Sequence, residues 1–536
     1  MEKRFLLAFL LSLAVLVMTQ IFVEKKMKPP STTPPVTATP APASPAPTPM
    51  AASKSEAAAS PSPALENIKG ANEHDIVLEN TRARIVLTNR GGVVKSWLLK
   101  DYKDSNHAPL DLVAGLDPQT QRASLPLQLN FPDDSALEGQ VQSALFADSL
   151  ERGPGGETRL TLRYASGNVS IEKDLTVDPQ SYINRLEVRV TRGGMEMPFL
   201  VAWPSKFGDN ALDIHTDLRQ IVTAVPGKID RTSLAKVKGT PETSGGFRFA
   251  GIEDRYFAAV FLPENSTVSR VRYTTEAGFF SIPTGPTRLF VGPKEVSLLR
   301  QVDPQLEAVV DFGWFGIIGK PLFMALKWIY VYCKNYGGAI ILLTLVINMA
   351  LFPLRWKSMV SAQKMQKIQP RIKAIQEKYK KYKVNDPKRQ EMNQEMMGLY
   401  KEHGVNPLGG CLPLVLQMPI LVAFYNVLNS AIDLRQVGFL WIPDLSQHDR
   451  TFVLVIIMVI TQFISQKLTP APSTDPTQAK MFLIMPLVFG VMFAKVASGL
   501  VLYWLTGNLI GIIQQLFLNR YSAAHPAVAR KDLKGK

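Results

Sequence analysis

Apolar residues follow three rhythms along this chain. Phe5 to Val23 is an unbroken apolar run of 19 residues behind Lys3 and Arg4, about the length that crosses a 30 Å hydrocarbon core. It outlasts the usual core of a signal peptide, and no small-x-small site follows directly, so an uncleaved anchor over residues 1–28 is expected. From about residue 70 the rhythm becomes period two. Ala83–Leu87, Leu160–Tyr164, Val169–Val177 and Ile183–Val190 alternate, separated by Asn89-Arg90-Gly91-Gly92, Gly153-Pro154-Gly155-Gly156 and Asp178-Pro179. Such alternation with turn signals predicts an all-β sandwich of many strands, with no helical pattern of comparable strength inside it. Past Asp311 the apolar runs lengthen again and predict spans near 338–354, 412–430, 451–467, 481–497 and 500–519. The fold class expected is a multi-span α-helical membrane protein with six transmembrane helices and an inserted β-sandwich.

The segments between these rhythms set the domain boundaries. Residues 29–69 are mostly Pro, Ala, Ser and Thr, a composition that buries too little apolar surface to order itself and serves as a tether. The β-domain then covers 70–311. Residues 312–334 carry Trp314, Phe315 and an aromatic run with Lys320 and Lys327, suited to a helix lying flat in the headgroup layer. A five-helix core follows over 335–519 and contains a helical hairpin at 355–404, and a basic tail closes the chain at 520–536. In the hairpin, Met365, Ile368, Ile372, Ile375, Tyr379 and Tyr382 form a heptad seam. Pro370 is expected to break or kink that helix near its first turns. Asp386 and Pro387 start a second helix, with Met392, Met396, Leu399 and Tyr400 as the matching stripe.

Charge gives the spans a direction. The chain has 60 Lys and Arg against 45 Asp and Glu, and the surplus is concentrated. Residues 355–411 hold thirteen basic and five acidic side chains, and 520–536 hold five and one. Positive-inside bias places both segments and both termini in the cytoplasm and the β-domain in the periplasm of an inner membrane. The basic hairpin, with Lys364, Lys367, Arg371, Lys373, Lys380 and Lys381, suits an anionic surface, lipid headgroups or ribosomal RNA. Two cysteines exclude a disulfide-dense scaffold. The absence of a GxxxxGK[ST] loop excludes that route to nucleotide energy. No catalytic set, metal, cofactor or small-molecule substrate is expected.

Polar side chains recur inside the spans: Thr344 and Asn348, Gln417, Asn426, Gln462, Ser465, Asn508, Gln514 and Gln515. Such groups are costly against lipid and face a bundle interior or water. Spread over four helices, they predict a hydrated groove with Thr344, Asn348, Gln417 and Asn508 as its polar lining. Met418, Leu421, Phe424, Tyr503 and Trp504 accompany them as adaptable apolar contacts for a substrate helix.

The stretch Asn406-Pro407-Leu408-Gly409-Gly410-Cys411-Leu412-Pro413 through Gln417-Met418-Pro419, together with Ser498-Gly499-Leu500-Val501-Leu502-Tyr503-Trp504 and Asn508, resembles the YidC membrane protein insertase family. Pro353-Leu354, Gln369-Pro370, Gly313-Trp314-Phe315 and Lys320-Pro321-Leu322-Phe323 fit it in order. The resemblance implies a periplasmic sandwich of the sugar-mutarotase type, though no sugar chemistry is carried over. It also implies insertion of nascent membrane proteins, alone or with the Sec translocon, with the ribosome as a further partner. The family usually places an arginine five residues before the proline that ends the second span. Asn348 stands there in this chain, which removes a fixed charge, and Arg355 two turns on is the candidate replacement. The mechanism expected is an ATP-independent one. The groove shortens the apolar path of a polar segment, and burial of the substrate's apolar helix drives completion. A polar-lined channel or transporter is the alternative, and a β-domain that is itself the working module a third reading.

Overall fold

The computed structural model describes residues 67–104, 106–113, 125–209, 219–382, 386–404, 412–468 and 476–524. The expected anchor, nearly all of the tether and most of the basic tail lie outside these residues. Contacts divide the chain into two bodies, one containing the distal hairpin 369–402 and the other the β-domain with the helical core.

The β-domain is built from antiparallel ladders. Among the described residues they form a four-stranded sheet, a ten-stranded sheet and a five-stranded sheet. Asp75–Glu79 alternates exposed and buried positions, as a strand with one wet face must. Phe257–Pro263, central in the largest sheet, is buried at every position. The core centres on Trp97 and Trp203, ring centroids 5.9 Å apart. The domain is not purely β. A helix, Ser135–Ser143 (α1), is capped by Asp134, whose carboxylate accepts from Leu137 N at 2.9 Å. A second, Val296–Val302 (α2), leads out of the last strand. Only Leu137 and Val141 of α1 are buried, too few to produce a visible 3.6-residue period.

Helix α3, Gly316–Cys333, presents Trp314 just before it and Ile317, Trp328, Val331 and Tyr332 to the outside. It is followed by α4 (Tyr336–Ala350), α5 (Phe352–Lys378), α6 (Lys388–Glu402), α7 (Leu412–Ser430), α8 (Val453–Leu468), α9 (Pro476–Phe493) and α10 (Ser498–Ala524). Among the described residues, α10 alone is long and apolar enough to cross a bilayer as a single helix. The pair α4 and α5 meets that test jointly but bends by 63° at Leu351, while α8 has 16 residues and reaches about 24 Å.

The bend corrects the expectation for Pro370. Helix α5 runs through Pro370 unbroken, and the interruption falls at Leu351, before Pro353. Pro353 sits in the first turn of α5, where its missing N–H is not needed. At Pro370 the carbonyl four residues back belongs to Gln366, and both residues are exposed, so water can take up the freed acceptor. In the hairpin, Ile372, Tyr379 and Met392 are buried. The Arg389 guanidinium donates to Tyr382 O at 3.1 and 3.2 Å, and Lys378 pairs with Glu395.

The β-domain and the helical core share a polar seam. Lys327 Nζ lies 2.9 Å from Asp433 and 3.7 Å from Glu295. Glu307 accepts from Lys320 Nζ at 2.6 Å, and Arg255 Nε donates to Asn429 O at 2.8 Å. Arg435, 4% exposed at its side chain, pairs with Asp209 and donates to Lys103 O at 2.6 Å.

Candidate functional site: a polar cavity among the core helices

Helices α7, α8 and α10, with the start of α5, surround a cavity of about 360 Å³. Its polar lining comes from Gln417 on α7, Gln462 and Ser465 on α8, Asn508, Gln514 and Gln515 on α10, and Arg355 and Ser358 on α5. The bend at Leu351 precedes the first three turns of α5, which carry its share of the lining. Gly507 and Gly511 form the α10 side of the floor. A Cβ on Gly507 would meet nothing within 4 Å, and one on Gly511 only the Arg355 guanidinium at 4.0 Å.

Much of the polar lining is tied into hydrogen bonds between the helices. Gln417 Nε2 donates to the Tyr503 hydroxyl. Trp504 Nε1 donates to Gln462 Oε1 at 3.0 Å. Asn508 Nδ2 reaches Thr461 Oγ1 at 3.3 Å and Met458 O at 3.4 Å. Arg355 Nη1 approaches Gln514 Oε1 at 3.5 Å. Arg355 is the one charged side chain in the lining, and among the described residues no carboxylate pairs with it.

Gln417, Asn508, Tyr503 and Trp504 meet at the cavity. Thr344 and Asn348 do not. Both are buried on α4, where Thr344 Oγ1 donates to Ile340 O at 2.6 Å and Asn348 Nδ2 to Thr344 O at 2.7 Å. Asn348 Oδ1 is buried without a hydrogen-bond partner. Phe424 stacks on Tyr503 at 4.6 Å and is fully covered, so it packs behind the Tyr503 ring that lines the cavity. Met418 and Leu421 are half-buried. Of the hairpin cations, Lys367, Arg371, Lys373, Lys380 and Lys381 are exposed and Lys364 is half-buried. Ser358, Met359 and Ala362 also line the cavity. Sequence reasoning missed them because their helix was read as hairpin alone; only Pro353 hinted at a turn there.

The comparisons address the chain as a whole. The 60Kd inner membrane protein family matches residues 328–525, and the YidC periplasmic domain matches residues 75–325. A membrane protein insertase YidC of Syntrophus aciditrophicus is 35% identical, over 97% of this chain and 100% of its own. The chain belongs to the YidC membrane protein insertase family. The YidC of Pelobacter propionicus is also 35% identical, covering 97% of this chain and 99% of its own, and that of Wolinella succinogenes is 35% identical over 87% and 84%. An active YidC insertase crystal structure with its first transmembrane domain resolved covers 86% of this chain and 95% of its own, at 20% identity and TM-score 0.37. The cavity lies within the part of the chain matched by the 60Kd family, and the β-sheets within the part matched by the YidC periplasmic domain.

Proposed function

We propose that this chain is a membrane protein insertase and chaperone of the bacterial inner membrane, working through the polar cavity as a groove open to the cytoplasm. The observation that carries the reading is the cavity itself: polar side chains from four helices beside the bend at Leu351. A polar segment crossing lipid alone leaves donors and acceptors unpaired at several kcal/mol each. Gln417, Asn508 and Gln514 supply partners partway, and Arg355 supplies the single positive charge that suits an acidic segment. Thr344 and Asn348 support the wall behind this lining. Met418, Leu421 and Trp504 greet the apolar helix, with Phe424 and Tyr503 as their packed base. Burial of that helix then drives completion, at about 25 cal/mol per Å² removed from water.

The same reading gives six spans with both termini cytoplasmic, the β-domain periplasmic, and α3 in the outer headgroup layer. The exposed hairpin lysines recruit nascent chains, anionic lipid and the ribosome, and the Sec translocon is a working partner. A polar-lined channel is disfavoured by the packing at the far end of the bundle. There Gly499, with a Cβ built on it, would touch Ile340, Leu428 and Leu445 O, each at 3.3 Å. Site-specific photocrosslinking tests the groove. A probe at Asn508 or Gln417 is expected to capture a nascent single-span protein, and one at buried Asn348 is not. Capture from Asn348 alone, or from none of the three, overturns the reading.

A further inference from the structure

The end of the bundle opposite the cavity is closed by the loop 431–452. Ser498 N and Oγ both donate to Gln447 O at 2.7 Å, and Gly499 N donates to Leu445 O at 2.9 Å. Leu434, Ile442 and Leu445 are buried. The loop is also strained. Gln436, Leu440 and Phe452 hold φ of 58°, 54° and 57° without being glycine. Such conformations persist only where the surroundings over-determine them. On the helix side the surroundings are the ends of α7 and α10. On the other side they are the β-domain.

Arg435 and Gln436 make that second attachment. The Arg435 guanidinium is buried against Asp209 and Lys103 O, and Gln436 Nε2 donates to Lys103 O and Asp104 O, both at 2.9 Å. Asp209 is itself held, because its N–H donates to Asp254 Oδ2 at 2.9 Å. The strained residue Gln436 is therefore pinned directly to a β-strand end. Lys327, between Asp433 and Glu295, fixes the loop's first turn to the same domain.

We propose that the β-domain acts as a clamp on the outer seal of the groove, with Arg435 as the positioning residue through which it holds the loop shut. Resting on the groove reading above, the clamp gives the large outer domain a part in the insertion cycle. It keeps the bilayer closed to water while the cytoplasmic side stays wet. A buried charge pair suits this use. It resists partial loosening, since separating it leaves desolvated charges behind, so the seal is either engaged or released.

The test uses the full chain with Cys333→Ser and Cys411→Ser, in right-side-out and inside-out membrane vesicles. Gly507→Cys is the reporter, because a side chain there meets open space. With Arg435 intact, a membrane-impermeant maleimide is expected to label it only from the side opposite the β-domain. With Arg435→Met, labelling from the β-domain side is expected to rise at least about tenfold, a shift equivalent to about 1.4 kcal/mol. The charge swap Arg435→Asp with Asp209→Arg returns it toward the parent rate. An unchanged rate in Arg435→Met, with the β-domain still protease-resistant, overturns the clamp. Should that variant fail to accumulate, Gln436→Ala must give a smaller rise on the same side, and no rise overturns the proposal equally. Labelling of the Arg435-intact reporter from the β-domain side, or from neither, refutes the groove reading instead.

Discussion

Replacing Arg355 by Gln removes the one charge in the cavity lining while keeping a polar hydrogen-bonding side chain. A substrate carboxylate brought to about 4 Å from that guanidinium gains about 1 kcal/mol in bulk water and about 4 kcal/mol at an effective dielectric of 20. Arg355 is half-buried, beside a cavity open along one side, so the wetter part of that range applies. A loss of about 1–2 kcal/mol corresponds to about 5- to 30-fold in rate. The assay is insertion of a single-span protein into liposomes holding the purified chain, with a translocated tail bearing two acids or the matching amides. Arg355→Gln is expected to slow the acidic tail by that factor and to leave the amide tail within about twofold. The gap should narrow as salt rises, since screening reaches partly exposed charges. Equal slowing of both tails refutes the electrostatic argument, as does no slowing of either. Asn348→Arg is not expected to restore the acidic tail's rate, because position 348 is 2% exposed and outside the lining.

Two further outcomes follow from packing and titration. Lys173 is buried with Nζ 2.9–3.0 Å from Gly91 O, Gly92 O and Leu127 O, and burial pushes its pKa down to about 7. Between that value and the unfolded value of about 10.4 the unfolded chain holds the extra proton, so the group's stabilising contribution grows as pH rises through this window and is lost as pH falls to 7. Urea unfolding of the β-domain should show the stability of the parent relative to Lys173→Met rising by about 2–3 kcal/mol from pH 7 to pH 9, and a constant difference refutes the assignment. Gly337, near the start of α4, would set a Cβ 2.1 Å from the Phe439 ring. Gly337→Ala is therefore expected to cost about 1–3 kcal/mol by overpacking, read as a lowered thermal midpoint in detergent.

Legibility from sequence differed from element to element for physical reasons. The β-ladders announced themselves because one-sided strands such as Asp75–Glu79 must alternate. The core helices did so because their apolar runs are long: α7 begins and ends where the sequence places it, at residues 412 and 430. The bend at Leu351 was hidden, since a proline in a first turn is compatible with a straight start as well as a broken span. That bend decides the site, for without it Arg355 and Ser358 would not face Asn508. Thr344 and Asn348 show the converse limit. Composition identifies polar residues in an apolar helix, but a side chain that bonds its own preceding turn looks the same in sequence as one that faces water. Gln417 and Asn508 look no different in sequence, and they line the cavity because their amides bond Tyr503 on α10 and Thr461 on α8 rather than their own preceding turns. The seam between the β-domain and residues 431–436 gave no sequence signal, as Arg435 and Asp209 are 226 positions apart.

Gly507 and Gly511 stand one helical turn apart, and neither carries an atom beyond its backbone into the cavity they line with Gln417. The width of the cavity at that level is thus set by what is missing, and each added methyl narrows it from α10 alone. A ladder of Ala, Val and Leu at position 507 would act as a calliper, reporting the girth of whatever polypeptide passes by the size at which passage stops.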